Sequence, residues 1–499
     1  MKKKSYLLFL IAILYTVSIM FFCAGSSPFI NSMGTDSSVF FTIGRGMASG
    51  KIPYLNFFDH KGWYIYFFNY LGACLDSNTT FGLFVIECIF MTVNVLLFYK
   101  IADLICSIRL TIFYKCISSA LMLLLSLNLL TYQGGNFVET YGLTFQLISI
   151  FLIIRYYKKN EVSHPPVFMF FHGICAGIVL GLRANMGAMW GGIALIILIR
   201  LLISKKYKPL IYNIAFEFFG LCTGLLPPVV YCLKTHSLKS MIQQSLFFNL
   251  EYSSGGSFAG NLLSLFTNIS SLCILLGIIV SMGIIIKSAR LPKSFRAMYI
   301  CSLLLSIVSV SLSGRSYGHY YEYLIPFFLP AVLFIIKKAA EILQKYKHYQ
   351  KLLPAGIFVF TICFNFQTPA KLFSLTGIQK ISRTANYMAE IYHSNYSDKK
   401  TMLTVNNKCM FYNKFNLIPE DKFFYIPAIN YQVFPDAVNA QADSILSGKN
   451  DIIILSYRDY NQRQIFPYGI KNQELLQYLS DHYQMVSEQN HIQMYIKNN

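Results

Sequence analysis

The stretch FFDHKGW, residues 57–63, sets an acid, a histidine and a lysine side by side, and upstream a second acid, Asp36, stands in MGTDSSVF. Farther along, Arg183 sits in GLRANMG, and Arg315 and His319 sit in SGRSYGHYYEYLIP with four tyrosines around them. Fixed cations suit a phosphate or pyrophosphate: arginine grips it with parallel donors, and lysine acts as a point charge. A carboxylate beside them can activate a hydroxyl nucleophile while the cations stabilise a departing phosphate. Tyrosines suit the face of a sugar or the first isoprene units of a lipid.

These residues stand out because the rest of the chain avoids charge. Of 499 residues, 55% are hydrophobic and only 13% charged, and the mean hydropathy is +0.48. That is far from a soluble domain and reads as a membrane protein. Apolar runs of roughly 17 to 22 residues, enough to cross a ~30 Å hydrocarbon core, recur near 6–25, 81–99, 111–130, 138–154, 166–182, 187–203, 211–233, 263–286, 297–312, 321–336 and 352–366. These give about eleven transmembrane helices. The first follows MKKK but lacks a small-x-small cleavage site, so it reads as a signal anchor.

The net charge of +20 is explained by where it lies. Residues 370–499 hold 13 basic and 11 acidic side chains, leaving about +18 on the membrane part. That surplus falls in alternate loops, among them Lys2 to Lys4, Arg109 and Lys115, Lys158 and Lys159, Lys205 to Lys208, Arg290 and Lys293, and Lys347 and Lys351. A positive-inside bias of this kind puts the N-terminus in the cytoplasm and the segments 26–80, 234–262 and the C-terminal tail outside. Nucleic acid is therefore excluded as a partner. Of twelve cysteines, all but Cys74 and Cys409 lie in or beside apolar spans, and no CxxC or Cys/His metal spacing occurs.

The elements that must hold the chemistry follow. In the first external loop, Thr35 or Asp36 caps a short amphipathic helix with Val39, Phe40, Ile43 and Met47 on one face, ended by Gly50 and Pro53. It is expected to lie along the membrane surface, and GWYIYFFNYLGACL forms a second interfacial helix. In the tail, ISRTANYMAEIYHS and NQELLQYLSDHY have helical periodicity, and TMLTV, DIIILSY and HIQMYIK read as strands. This predicts a small external α/β domain over 370–499 with a Rossmann-like sheet, although no GxGxxG occurs. The membrane domain occupies 1–369, with the site on loop 26–80.

Charge near a bilayer is costly unless paired or hydrated, so the outward-facing ionisable groups are informative. The candidates are Asp36, Asp59, His60, Lys61, Glu139, Arg183, Glu251, Arg315 and His319, with Lys61, Arg183, Arg315 and His319 expected to converge on one external pocket. Each also has a plainer reading. Asp36 can be a helix cap, Asp59 and Lys61 a surface ion pair, and His60 a solvated bystander. Arg183 and Arg315 can snorkel to head groups. His319 can be a satisfied interfacial histidine, and Glu139 and Glu251 can serve loop solvation.

In order and spacing these residues resemble the GT-C membrane glycosyltransferases, especially the branch of the protein O-mannosyltransferases and the lipid A aminoarabinose transferase. The matching residues are Asp36, then Gly50, Pro53, Tyr54, Asp59 and Lys61 in GKIPYLNFFDHKGW, Arg183, and Tyr317, His319, Tyr320, Tyr321 and Pro326, spanning about residues 1–330. The resemblance implies a GT-C-type α-helical polytopic enzyme of a bacterial cytoplasmic membrane that takes a sugar, such as a hexose, from a polyprenyl-phosphate donor. The acceptor would be a cell-surface glycan or lipid such as O-antigen or teichoic acid, on the extracytoplasmic face.

By carry-over, Asp36 would be the general base or the acceptor-orienting carboxylate, and Asp59 a second acid that positions Lys61 or the acceptor. Lys61, Arg183, Arg315 and His319 hold the donor phosphate, and Tyr54, His60, Glu139, Glu251, Tyr317 and Tyr320 are candidate substrate contacts. Ser37 follows Asp36 where some relatives have a second acid, so no obligatory metal is expected, with a divalent ion left as an alternative. Gly62 and Trp63 stand where many relatives have proline. Two other readings are a polysaccharide polymerase or ligase, whose large external loop comes late in the chain, and a lipid-linked oligosaccharide flippase, which would line its path with mid-membrane charge.

Overall fold

A computed structural model describes residues 2–106, 112–127, 129–157, 163–254, 257–288, 291–312, 315, 317–345, 356, 359, 378–406, 409–427, 429 and 431–498. The expected span 352–366 and the basic residues Arg109, Lys158, Lys159, Arg290, Lys347 and Lys351 lie outside the described residues. The chain forms two compact units interleaved in sequence. One comprises Met1–Phe29, Glu87–Tyr231 and Ser253–Pro369; the other comprises Ile30–Ile86, Cys232–Tyr252 and Ala370–Asn499. The segments Ile30–Ile86 and Cys232–Tyr252 thus belong with the tail.

The first unit is a helical bundle. Six helices among the described residues are long and apolar enough to cross a bilayer: Phe81–Ile105, Val138–Tyr157, Ala184–Ile203, Tyr207–Lys234, Lys293–Ser311 and Gly318–Lys338. Phe9–Cys23 and Pro166–Leu180 are shorter apolar helices at two more of the expected spans. The expected span 263–286 is instead two helices, Phe258–Thr267 and Ser271–Lys287, bent by 80°. The break falls at Asn268, which takes extended backbone angles and so cannot continue the helix.

Glycine sets the closest approach between helices. On Pro166–Leu180, Gly173 and Gly177 meet Gly220 and Gly224 of Tyr207–Lys234, and a Cβ on Gly173 would lie 2.1 Å from the Glu217 carbonyl oxygen. Such small-xxx-small pairs are how membrane helices pack without a hydrophobic driving force. The eleven-residue 3-10 segment Gly318–Phe328 is buried and pinned from several sides. Thr140 donates to Glu322 at 3.0 Å, Gln146 to the Tyr323 carbonyl at 3.2 Å, and Tyr323 to the Met186 carbonyl at 2.5 Å.

In the second unit, helices Thr35–Ala48 and Trp63–Leu75 match the two amphipathic helices expected in the first loop. They pack tightly because Gly44 has no side chain: a Cβ there would sit 2.6 Å from the Asn69 carbonyl carbon. The N-cap is Gly34, not Thr35 or Asp36, which both fall inside the first turn. Gly50, at φ +88, ends the turn that follows, a conformation glycine adopts without cost.

The tail carries a four-stranded sheet of β1 (Met402–Val405), β2 (Ile452–Ser456), β3 (Tyr483–Gln489) and β4 (Ile492–Lys497), ordered β1-β2-β4-β3. Only β1 and β2 pair in parallel; β4 runs antiparallel to both neighbours, so the sheet is mixed rather than Rossmann-like. Edge strand β3 escaped the sequence pattern because YQMVSEQ is mostly polar and half exposed. Helices Ile378–Asn395, Asp436–Leu446 and Asn472–His482 accompany the sheet, and Val438, Ala442 and Leu475 pack with Leu403, Val405, Ile453 and Leu455.

Candidate active site

The FFDHKGW loop is held from three parts of the second unit that are distant in sequence. Phe58 donates its backbone N–H to the Lys422 carbonyl at 2.9 Å, and its ring packs with Phe248, Phe423 and Phe434 at centroid distances of 5.1, 5.1 and 5.0 Å. Gln244 donates to the Tyr54 carbonyl at 2.8 Å, and its side-chain oxygen accepts from the Asp59 N–H at 3.4 Å. Asn249 donates to the His60 carbonyl at 2.7 Å. Gln244 lies in a π-helical turn, Gln243–Phe247, a local widening of the helix often found at functional sites. These clamps keep Tyr54 at φ 68, a conformation unfavourable for a bulky side chain.

Within this frame Asp59 is 3% exposed and its oxygens are occupied. Oδ1 accepts from the Tyr425 hydroxyl and the His60 N–H, each at 2.7 Å, and Oδ2 accepts from the Tyr66 hydroxyl at 2.8 Å. Burial alone would raise its pKa, but His60, the Lys61 charge and Tyr425 outweigh it and hold the carboxyl at about 2. A carboxylate so acidic and so saturated is a weak base.

His60 lies between its neighbours. Nδ1 is 3.3 Å from Asp59 Oδ1, and Nε2 is 2.8 Å from the Lys61 ammonium. Burial, and then the Lys61 charge, lower its pKa from 6.5 against the pull of Asp59 and Asp36. Neutral imidazole with Nε2 accepting from Lys61 and the Nδ1 proton toward Asp59 satisfies both sides.

Lys61 itself is 6% exposed, and no carboxylate among the described residues forms an ion pair with it. Its carbonyl accepts from the Tyr54 hydroxyl at 3.0 Å, which fixes the backbone beneath the ammonium. One of three N–H donors is committed to a neutral acceptor, and among the described residues the Asp59 carboxylate acts on the charge only from beyond ion-pair distance. The surface ion pair considered for Asp59 and Lys61 is not formed, and His60 is no solvated bystander.

Asp36 contrasts with Asp59. It is half-buried in the first turn of Thr35–Ala48, it caps nothing, and no described residue hydrogen-bonds its carboxylate. Its lone pairs are open to an incoming group. Its charge is felt by His60 and Tyr425. The same helix is locked to the tail by Arg45, which is 4% exposed. Arg45 donates to the Ser77 carbonyl at 2.8 Å, the Tyr412 carbonyl at 3.1 Å, the Leu417 carbonyl at 3.3 Å and Asn413 at 3.3 Å, and also to Asn416.

The first unit holds a second constellation. Arg183 Nη1 lies 2.8 Å from Glu139 Oε1, and its guanidinium stacks 4.0 Å from the centre of the Tyr320 ring. Both Glu139 and Tyr320 are buried, and with Asn185 and Ser309 they line a pocket. Arg183 is thus paired rather than snorkelling, and Glu139 is its counter-ion rather than a solvated loop residue. His319 is buried and stacks on Phe137 at 4.2 Å and 8°, with half-exposed Tyr317 at 5.7 Å, as a satisfied interfacial histidine would.

Arg315 is half-buried, and Glu251 is exposed on Phe248–Ser254. Tyr54 is buried with its hydroxyl on the loop backbone, which makes it a support rather than a substrate contact. Tyr66, Gln244, Asn249 and Tyr425 were missed, because only the fold brings them to the motif. Among the described residues no group of three or more histidine, cysteine or acidic side chains is arranged to hold a metal.

A family model described as "Putative competence-induced protein Ccs4 N-terminal domain" matches residues 1–365. No curated protein matches the sequence. Among solved structures the chain is similar to ArnT from Cupriavidus metallidurans, at 11% identity over 99% of this chain and 98% of that one. The TM-score is 0.63 for the crystal structure bound to undecaprenyl phosphate and 0.58 for the apo state. At that identity the likeness establishes the fold: a polytopic GT-C-type membrane architecture with a small C-terminal sheet domain, as expected from the sequence.

Proposed function

We propose that this chain, which belongs to the competence-induced Ccs4 N-terminal domain family, is a membrane glycosyltransferase that moves a sugar from a polyprenyl-phosphate donor to a hydroxyl of a cell-surface glycan on the extracytoplasmic face. The carrying observation is the buried Lys61 ammonium, which forms no ion pair with a carboxylate of the described residues and is held by His60 and by the backbone clamp around it. A buried cation with no carboxylate at ion-pair distance is costly and calls for a closer anion in the working complex. The fold likeness to a protein crystallised with undecaprenyl phosphate supports a lipid phosphate as that anion.

In the reaction, Asp36 takes the proton from the acceptor hydroxyl, whose oxygen attacks the anomeric carbon of the donor sugar. The bond from that carbon to the phosphate oxygen breaks, and polyprenyl phosphate leaves with the electron pair. Lys61 stabilises the charge that grows on the phosphate. Asp59 does not touch the reacting atoms; with Tyr66, Tyr425 and His60 it fixes Lys61. A single displacement of this kind inverts the anomeric configuration. Arg183, already neutralised by Glu139, shapes the pocket of the first unit rather than supplying net charge.

The test is transfer by purified protein in detergent from a panel of radiolabelled polyprenyl-phosphate sugars, with membrane extract as acceptor and Asp36→Asn as control. Label entering polymer with wild type alone supports the reading and names the sugar. If no donor is consumed while intact lipid-linked glycan lengthens, or crosses the membrane, the proposal fails.

A further inference from the structure

The hairpin joining β3 and β4 turns at Asn490 and His491, with φ 55 and 62. Two-residue hairpin turns of this hand favour glycine at the second position, so a histidine there is strained. His491 is exposed and lays its ring against Tyr460, with centroids 4.1 Å apart. Tyr460 is 42% exposed, and its hydroxyl donates to Glu488 at 2.8 Å. Its other neighbour is Tyr457 at 6.0 Å, which lies under Arg463 at 5.8 Å. Arg463 is exposed and is also left-handed, at φ 51. Strained non-glycine residues thus gather around one exposed aromatic group, outside the network of Asp59 and Lys61.

Strain kept at a surface points to a ligand that rewards it. The patch offers an aromatic face edged by a guanidinium, a carboxylate and an imidazole. Such a face suits the C–H side of a sugar ring, and the charged edge suits its hydroxyls. Opposite charges on Arg463 and Glu488 create no net field for a polyanion, and the patch lacks the aliphatic area of a protein or lipid contact.

We infer that Tyr457, Tyr460, Arg463, Glu488 and His491 form a carbohydrate-binding subsite for a glycan chain. It rests on the proposed function only for the choice of ligand class. The experiment titrates the full-length protein, in a detergent without a sugar head group, with tetrasaccharides of glucose, galactose, rhamnose and N-acetylglucosamine, read by saturation-transfer NMR.

At least one tetrasaccharide binds saturably. Tyr460→Ala weakens it about fivefold to tenfold, as expected for one aromatic contact, while Tyr460→Phe keeps most of the affinity. Arg463→Gln, which leaves the hairpin stacking intact, also weakens binding. Lys61→Met binds like wild type, so loss of transfer and loss of glycan binding are separable. Absence of saturable binding for every tetrasaccharide, or unchanged affinity in both Tyr460→Ala and Arg463→Gln, overturns the inference.

Discussion

Replacing Asp59 by asparagine separates a base from a support. The carboxyl is held at about 2 against an ordinary 3.8, so its ionised form contributes about 2 kcal/mol to the fold at neutral pH. Asparagine removes that charge and leaves the Tyr66 and Tyr425 hydroxyls and the His60 N–H facing one neutral oxygen. Because the folded value is depressed, the contribution is complete above 3.8 and is lost as pH falls from there toward 2.

The thermal midpoint of Asp59→Asn in detergent should therefore lie below wild type at pH 6, and the gap should narrow as the buffer is taken below about pH 4. In transfer assays the variant should bind donor more weakly, because Lys61 is less well fixed, while kcat at saturating donor falls less than in Asp36→Asn. Equal loss of kcat in both variants, with unchanged stability and donor KM, would make Asp59 the base and refute this assignment.

Arg45→Leu should cost about 3 kcal/mol, because it strips a buried donor from three carbonyls and two asparagine side chains, the Tyr412 and Leu417 carbonyls among them belonging to buried residues; earlier proteolysis of the tail is the readout, and Arg45→Lys should not restore resistance, lacking the fork. Gly44→Ala should destabilise by about 1–3 kcal/mol through the clash with Asn69, whereas Gly34→Ala, with no atom within 4 Å of the new Cβ, should be silent in the same thermal scan. His60 has a folded pKa below 6.5, so stability is complete above that pH and declines as pH falls below it; His60→Gln should flatten the acid limb of the thermal midpoint between about pH 6.5 and 5.

The chemistry-bearing residues were legible because charge is rare in this sequence: Asp36, Asp59, His60 and Lys61 are conspicuous for standing in a greasy chain. The helices were legible because burial in lipid demands long apolar runs, and six of the expected spans are matched by helices long enough to cross. The division of labour between the two acids was not legible. It depends on Tyr425 and Gln244, which reach Asp59 across 366 and 185 residues of chain and carry no local signature. The pairing of Arg183 with Glu139 was hidden for the same reason, since 44 residues separate them. Strand β3 was missed because an edge strand with polar side chains shows no alternation for a sequence pattern to catch.

The most direct test of the account is donor consumption by Lys61→Met beside wild type, using polyprenyl-phosphate-linked sugar and a thermal scan of both proteins. Methionine preserves the buried volume while removing the charge and the donor to His60 Nε2, so the fold should persist. A folded variant that no longer retains or consumes the lipid-phosphate donor is expected. A Lys61→Met protein that transfers sugar at the wild-type rate would contradict it.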